Sequence, residues 1–102
     1  MCIGRTAEEA ERDFKASQLY EHLVSLQKST LRGVDIDGYV SMNLIGSVDD
    51  VIEKVAAYRD AGAGHLSGLL FAANTVDEML EQMALFAETV VPKFAEAPVA
   101  AA

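Results

Sequence analysis

Three segments of the chain carry apolar residues at helical spacing, and each begins with the same short motif. In that motif a hydroxyl residue stands three positions before an acidic one. The three pairs are Thr6 and Glu9, Ser47 and Asp50, and Thr75 and Glu78. At a helix start the hydroxyl oxygen accepts a hydrogen bond from a free backbone N–H group, and the acid can reach back to the first residue. The motif therefore predicts helix starts at residues 7, 48 and 76.

The apolar spacing also predicts the extent of each helix. The first covers about residues 7–31, the second 48–61 and the third 76–91. Gly62 can adopt the positive φ angle that ends a helix, and Pro92 lacks the N–H group that the next helical turn needs. The predicted buried face of the third helix consists of Met79, Leu80, Met83, Ala87 and Val90. Its two methionines are therefore interpreted as core residues rather than cofactor contacts.

Two apolar runs between the helices have the length of strands. They cover residues 39–45, which end at Gly46, and residues 65–71. The predicted order is thus helix, strand, helix, strand, helix. That order is typical of an α/β fold, in which parallel strands are joined by right-handed crossovers. Residues 95–102 have no periodicity and are predicted to form a disordered tail.

The composition is typical of an acidic globular protein. Hydrophobic residues make up 51% and charged residues 24% of the 102 positions, and the formal net charge is −8. Because an acidic surface repels phosphate backbones, nucleic acid is not an expected partner. Cys2 is the single cysteine, so no internal disulfide can form, and no apolar run reaches the roughly 20 residues that cross a bilayer. We therefore expect a cytoplasmic protein with no membrane partner.

Several segments follow one another in a recognisable order. Residues 44–54 combine a strand, a Gly-Ser turn and an acidic helix start, and residues 58–62 end that helix in Ala-Gly before a hydrophobic strand. Residues 86–94 form a closing helix with a Val-Pro ending. In this order the segments resemble the end of luciferase-like, flavin-dependent monooxygenases, and residues 3–10 resemble an earlier helix start of that family. Gly64 departs from the pattern, because the family often has an acid there.

The resemblance implies a fold and a chemistry. The family forms a (β/α)8 TIM barrel that binds reduced flavin, FMN or in some relatives a deazaflavin, and oxidises an organic substrate with oxygen or transfers hydride. A complete barrel needs about 250 residues, with a floor near 200. We therefore expect residues 1–94 to be the C-terminal fragment of such a barrel domain, with its last two βα units preceded by a helix. The isolated chain is expected to retain no flavin and to be inactive.

Four residues are candidate cofactor contacts in such a barrel. Gly46 and Ser47 open a helix, where exposed N–H groups favour phosphate. Phe71 and Asn74 follow the last predicted strand, at the edge where a barrel's chemistry lies. Two aspartates in the first turn after Ser47 would repel phosphate, so a plain helix cap is the favoured interpretation of that residue.

The sequence predicts neither a catalytic residue nor a metal site. His65 begins the last predicted strand, at the amino-terminal face that serves barrel stability. No spacing of His, Cys, Asp and Glu resembles a set of metal ligands. Cys2 has no basic neighbour nearer than Arg5, so its sequence context does not predict a reactive thiol.

The sequence is also compatible with two other functions. A small, non-catalytic α/β module could bury exposed strand edges by self-association, since unpaired strands invite pairing with another chain. The expected partner is accordingly either the missing part of the barrel or a second copy. A small ligand-binding domain that uses the Gly46–Ser47 turn is the third possibility, which the neighbouring aspartates disfavour.

Overall fold

The computed structural model describes residues 1–95, apart from the side chain at position 39. The helices are α1 (Ala7–Lys15), α2 (Gln18–Leu26), α3 (Ile36–Met42), α4 (Val48–Asp60), α5 (Val76–Thr89) and α6 (Val91–Phe94), and the strands are β1 (Cys2–Ile3) and β2 (Ile45–Gly46). Residues 96–102 lie outside the described residues, so the disordered tail remains a prediction for that part of the chain.

The two strands form a small parallel sheet at the centre of the molecule. Cys2 lies opposite Ile45 and Ile3 opposite Gly46. A later segment lies along the other edge of the sheet: the Met1 amino group donates to the Leu70 carbonyl, and the Ala72 N–H donates to the Met1 carbonyl at 2.8 Å. This is the hydrogen-bond pattern of parallel pairing, so β1 lies between β2 and the segment around residues 70–72.

Helices cover both faces of this sheet. One buried cluster joins the sheet to α4 and the end of α5, and its buried residues are Met1, Ile3, Leu44, Val51, Val55 and Val90. The other cluster joins the sheet to α1, with α2 packed against it, and its buried residues are Cys2, Ala10, Phe14, Ile45 and Ala72. Successive residues of β1 belong to opposite clusters because side chains alternate across a strand. The core therefore has three layers: helix, sheet and helix.

The prediction of a partial (β/α)8 TIM barrel is wrong. The described residues are mostly helical, and their two strands are two residues each in a single open sheet. The predicted strand at residues 65–71 does not form as a regular strand. In a barrel each strand pairs with the next one along the chain, whereas here residues 70–72 contact Met1 rather than β2. The alternation of strands and helices that a barrel requires is therefore absent from residues 1–95.

The predicted strand at residues 39–45 is largely a helix. Asp35 begins α3 because its side chain accepts a hydrogen bond from the Asp37 N–H at 3.1 Å. Ile36, in the first turn, is buried. This local cap and the burial of Ile36 favour a helix over the strand that the propensity of these residues predicts. Strand structure is left only at Ile45–Gly46.

The single long helix predicted for residues 7–31 is also wrong. α1 ends and α2 begins around Ser17, whose hydroxyl donates to the Phe14 carbonyl at 2.6 Å and accepts from the Tyr20 N–H at 3.2 Å. The rings of Phe14 and Tyr20 meet edge to face across this break, with centroids 5.5 Å apart. The chain can therefore turn without leaving the buried hydroxyl of Ser17 unpaired.

The third helix starts where predicted, but Val90 is the one residue of its predicted face that is buried. Met79, Leu80 and Met83 are exposed, whereas Leu85, Phe86 and Val90 pack against the core. The interpretation of the two methionines as core residues is therefore wrong. Pro92 does not end the helix either: α5 ends at Thr89, and the proline occupies the first turn of α6, where no intrahelical N–H donor is needed.

Candidate functional site

The turn between β2 and α4 is held by two reciprocal hydrogen bonds. The Ser47 hydroxyl accepts from the Asp50 N–H at 3.2 Å, and the Ser47 N–H donates to Asp50 Oδ2 at 3.0 Å. These bonds form a complete capping box. The backbone hydrogen bond from Ser47, followed by the one from its hydroxyl, lowers the pKa of the Asp50 carboxyl below its usual value.

The two other predicted helix starts are confirmed. In both, the carboxylate of the acidic residue bonds to a group other than the N–H of the cap residue. Thr6 accepts from the Glu9 N–H and Thr75 from the Glu78 N–H, each at 3.1 Å. The Glu9 carboxylate pairs with Arg5 at 3.0 Å. The Glu78 carboxylate accepts from a backbone N–H one residue before the cap, at 2.8 Å. All three hydroxyl residues therefore serve as N-caps, and the shorter aspartate is the acid that closes the full box.

Gly46 is required by the close approach of Asp50. A Cβ atom at position 46 would lie 2.6 Å from the Asp50 Cβ and 2.9 Å from its Oδ2. The Ser47 N–H, which a phosphate would need, is already bonded to the Asp50 carboxylate. The carboxylate would also repel an anion at this helix start. Gly46 and Ser47 therefore do not fit a flavin phosphate in the described structure.

The other two candidate contacts also have structural roles. Phe71 is half-buried and meets Phe86 edge to face, with ring centroids 6.5 Å apart. The Asn74 side chain accepts from the Gln18 N–H at 2.9 Å and donates to the Ala16 carbonyl at 3.2 Å. Asn74 thereby fastens the start of α5 to the junction of α1 and α2. A flavin contact by either residue remains a prediction.

Both edges of the small sheet are covered by polar side chains from helices. On the outer edge of β2, the Lys54 ammonium group donates to the carbonyls of Asn43 and Ile45, both at 2.9 Å. On the far edge of β1, the Gln82 carboxamide accepts from the Ile3 N–H and donates to the Ile3 carbonyl, both at 2.9 Å. Sequence reasoning missed both residues, since a Lys or Gln within a helix is usually a solvated position.

Two of the cavities formed by residues 1–95 adjoin the strands. An open one of about 510 Å³ lies between the loop after β1, with Gly4 and Arg5, and the start of α4. In open parallel sheets, ligands bind beyond the carboxyl ends of the strands. A polar one of about 390 Å³ is lined by Cys2, Asp13 and Glu81 among others. Burial, and then the charge of Asp13, raises the pKa of the Cys2 thiol, which makes it a poor nucleophile.

The remaining candidates do not assemble into a centre. His65 is exposed in the segment after α4. Within residues 1–95, no group of three His, Cys, Asp or Glu side chains could hold a metal ion. None of the helices in this part of the chain combines the length and apolar character that a membrane span requires.

Comparison with protein-family models, with curated proteins and with solved structures finds no match to this chain. The resemblance to luciferase-like monooxygenases therefore remains a prediction from the residues that carry it.

Proposed function

We propose that this chain is the C-terminal portion of a luciferase-like, flavin-dependent monooxygenase or related oxidoreductase of the cytoplasm, inactive without the rest of the enzyme. The proposal rests on the order and spacing of the family-like segments between residues 44 and 94, and not on a barrel. The observation that carries it is this order: a strand, a Gly-Ser turn and an acidic helix start at residues 44–54, an Ala-Gly helix end at residues 61–62 and a Val-Pro ending at residues 91–92.

The flavin of such an enzyme would be held by other parts of the polypeptide. The N–H group of Ser47 is bonded to a carboxylate, and the Phe71 ring packs on Phe86. Both the oxygen and the nitrogen of the Asn74 side-chain amide are already hydrogen-bonded. A cofactor would have to displace these contacts. We therefore expect FMN or a deazaflavin to bind to the whole enzyme and not to residues 1–95 alone.

The non-catalytic module that self-associates through strand edges is the less well supported alternative. Strand addition needs free backbone N–H and C=O groups along an edge. Lys54 occupies two carbonyls on the β2 edge, and Gln82 occupies both peptide groups of Ile3 on the β1 edge. A second copy would first have to displace these side chains.

The test compares the isolated chain with a longer product. The DNA upstream of Met1 is read in frame, and both the longer polypeptide and the chain alone are purified and titrated with FMN and with a deazaflavin. Oxygen uptake is then measured with a flavin reductase and NADH. We expect further in-frame residues upstream of Met1, and flavin binding by the longer product alone. Stoichiometric flavin on the isolated chain, or a longer product that binds no flavin, would contradict the proposal.

A further inference from the structure

Helix α5 presents an apolar face that nothing in the described structure covers. Val76, Met79, Leu80 and Met83 are 70%, 41%, 55% and 45% exposed. With the exposed Ala87 they follow the spacing i, i+3, i+4, i+7 and i+11, so they lie on one face over about three turns, or roughly 16 Å. We name these five residues the α5 stripe. A continuous exposed apolar stripe of this kind is typical of an interaction surface, whereas single exposed apolar residues are common.

The charge beside the α5 stripe is of one sign. Asp77, Glu81 and Glu88 are all exposed, and at about 100° per residue they lie along the same border of the stripe. α5 contains four acidic residues and no lysine or arginine. The opposite border is formed by the side of the helix that packs into the core, through Phe86. A partner that binds here therefore contacts an apolar surface with negatively charged side chains along one border.

This arrangement is unfavourable for an antiparallel pairing of α5 with α5 of a second copy of the chain. In a two-fold symmetric, antiparallel pair of α5 helices the same surface patch meets itself. The acidic border of one helix would then face the acidic border of the other, and the formal net charge of −8 on each chain adds to the repulsion. A basic border on the partner would instead be attracted, and its apolar residues would cover the stripe.

We propose that the α5 stripe docks an amphipathic helix of another polypeptide, whose apolar face is bordered by lysine or arginine. A helix that lays its apolar face on such a surface uses anchors at i, i+3, i+4 and i+7, which is the spacing that the stripe itself offers. The inference rests on the exposed face and its charge, and not on flavin chemistry.

The experiment uses two labelled synthetic helical peptides of about 18 residues, or five turns. Both have leucines at i, i+3, i+4 and i+7; one has lysines along the border of that face and the other has glutamates there. Binding to the full chain is measured by fluorescence anisotropy. The variants are Leu80→Gln in the stripe and Met42→Gln as a control, since Met42 is 63% exposed on α3. Both variants change an exposed apolar side chain, and circular dichroism verifies that they remain folded.

We expect the lysine peptide to bind the wild-type chain and the Met42→Gln variant with equal affinity. Its affinity for Leu80→Gln should be about tenfold lower. Added salt should weaken binding because the border contributes charge. The proposal is overturned if neither peptide binds, if both bind equally, or if Leu80→Gln binds as the wild type does. It is also overturned if light scattering shows a dimer that Leu80→Gln converts to monomer, because the occupant would then be a second copy. Binding of the lysine peptide together with a longer product that binds no flavin would contradict the enzyme proposal only.

Discussion

The carboxamide of Gln82 pairs with the peptide groups of Ile3 as a neighbouring strand would. It accepts from the Ile3 N–H and donates to the Ile3 carbonyl, both at 2.9 Å, across 79 positions of sequence. The segment around residues 70–72 pairs with Met1 on the same edge of β1, but its backbone makes no hydrogen bond to Ile3. A side chain of α5 thus completes the edge of β1 where the backbone partner ends, and it fixes which face of α5 turns inward.

Loss of this contact should destabilise the fold. Replacing Gln82 by alanine leaves the N–H and C=O groups of the buried Ile3 without partners, which costs about 1–3 kcal/mol in the free energy of unfolding. Urea denaturation measures the change. Gln18→Ala is the matched control, because the Gln18 side chain is exposed. Equal stability of the two variants would show that the Gln82 contact contributes nothing.

The two glycines at positions 46 and 64 should respond oppositely to alanine. At Gly46 the new methyl group meets Asp50 at 2.6 Å, so we expect a loss of roughly 1–3 kcal/mol in stability. At Gly64 a new Cβ atom would have no neighbour within 4 Å, and alanine should be neutral or stabilise by less than about 1 kcal/mol through the unfolded state. Thermal unfolding of both variants checks this. A Gly46→Ala variant as stable as the wild type would refute the packing argument.

Acid should weaken the start of α4 through Asp50. Hydrogen bonds from Ser47 lower the pKa of this carboxyl in the folded state, so its contribution is present above the ordinary aspartate pKa of about 4. That contribution is lost as the pH falls from there through the lower folded pKa. Asp50→Asn keeps an acceptor for the Ser47 N–H without a titrating group. We therefore expect the stability difference between wild type and variant to shrink on acidification. A difference that stays constant from pH 6 to strong acid would contradict this assignment.

Removal of Asn74 should loosen the junction of α1 and α2. Asn74→Ala deletes the acceptor of the Gln18 N–H and the donor to the Ala16 carbonyl, at a cost of about 1 kcal/mol in a largely exposed position. Hydrogen exchange reports the effect locally: the Gln18 amide should exchange faster. The Glu9 amide, capped by Thr6, is the internal control and should not change. Unchanged exchange at Gln18 would rule out the proposed link.

The helix starts can be predicted because each is settled within four residues. The caps at Thr6, Ser47 and Thr75 use a hydroxyl and an N–H that the chain brings together as soon as one turn forms. The same locality explains why Gly62, with φ at 103°, follows the end of α4 as predicted. The cap at Asp35 is equally local, but it lacks the hydroxyl of the other three, and the strand-like residues after it conceal the helix that it begins.

The sequence identifies candidate site residues, but it does not predict which distant residues their side chains contact. Ser47 is a cap, as favoured from its sequence context. The use of Asn74 by Gln18 and Ala16 depends on residues more than 50 positions away. The same holds for Gln82 and Ile3. Periodicity carries no information about such pairs, because it describes one element at a time.

The sequence by itself determined where α1, α4 and α5 begin and the acidic character of the surface, because caps and charges depend on neighbouring residues alone. The tertiary structure decided which face of α5 is buried and which residues form the sheet. α5 has more apolar surface than one core contact can cover, so the pairing of Gln82 with Ile3 and of Phe86 with Phe71 selects the inward face. The strands are too short to be specified by their own residues, and they exist because Met1, β1 and β2 meet between two helical layers.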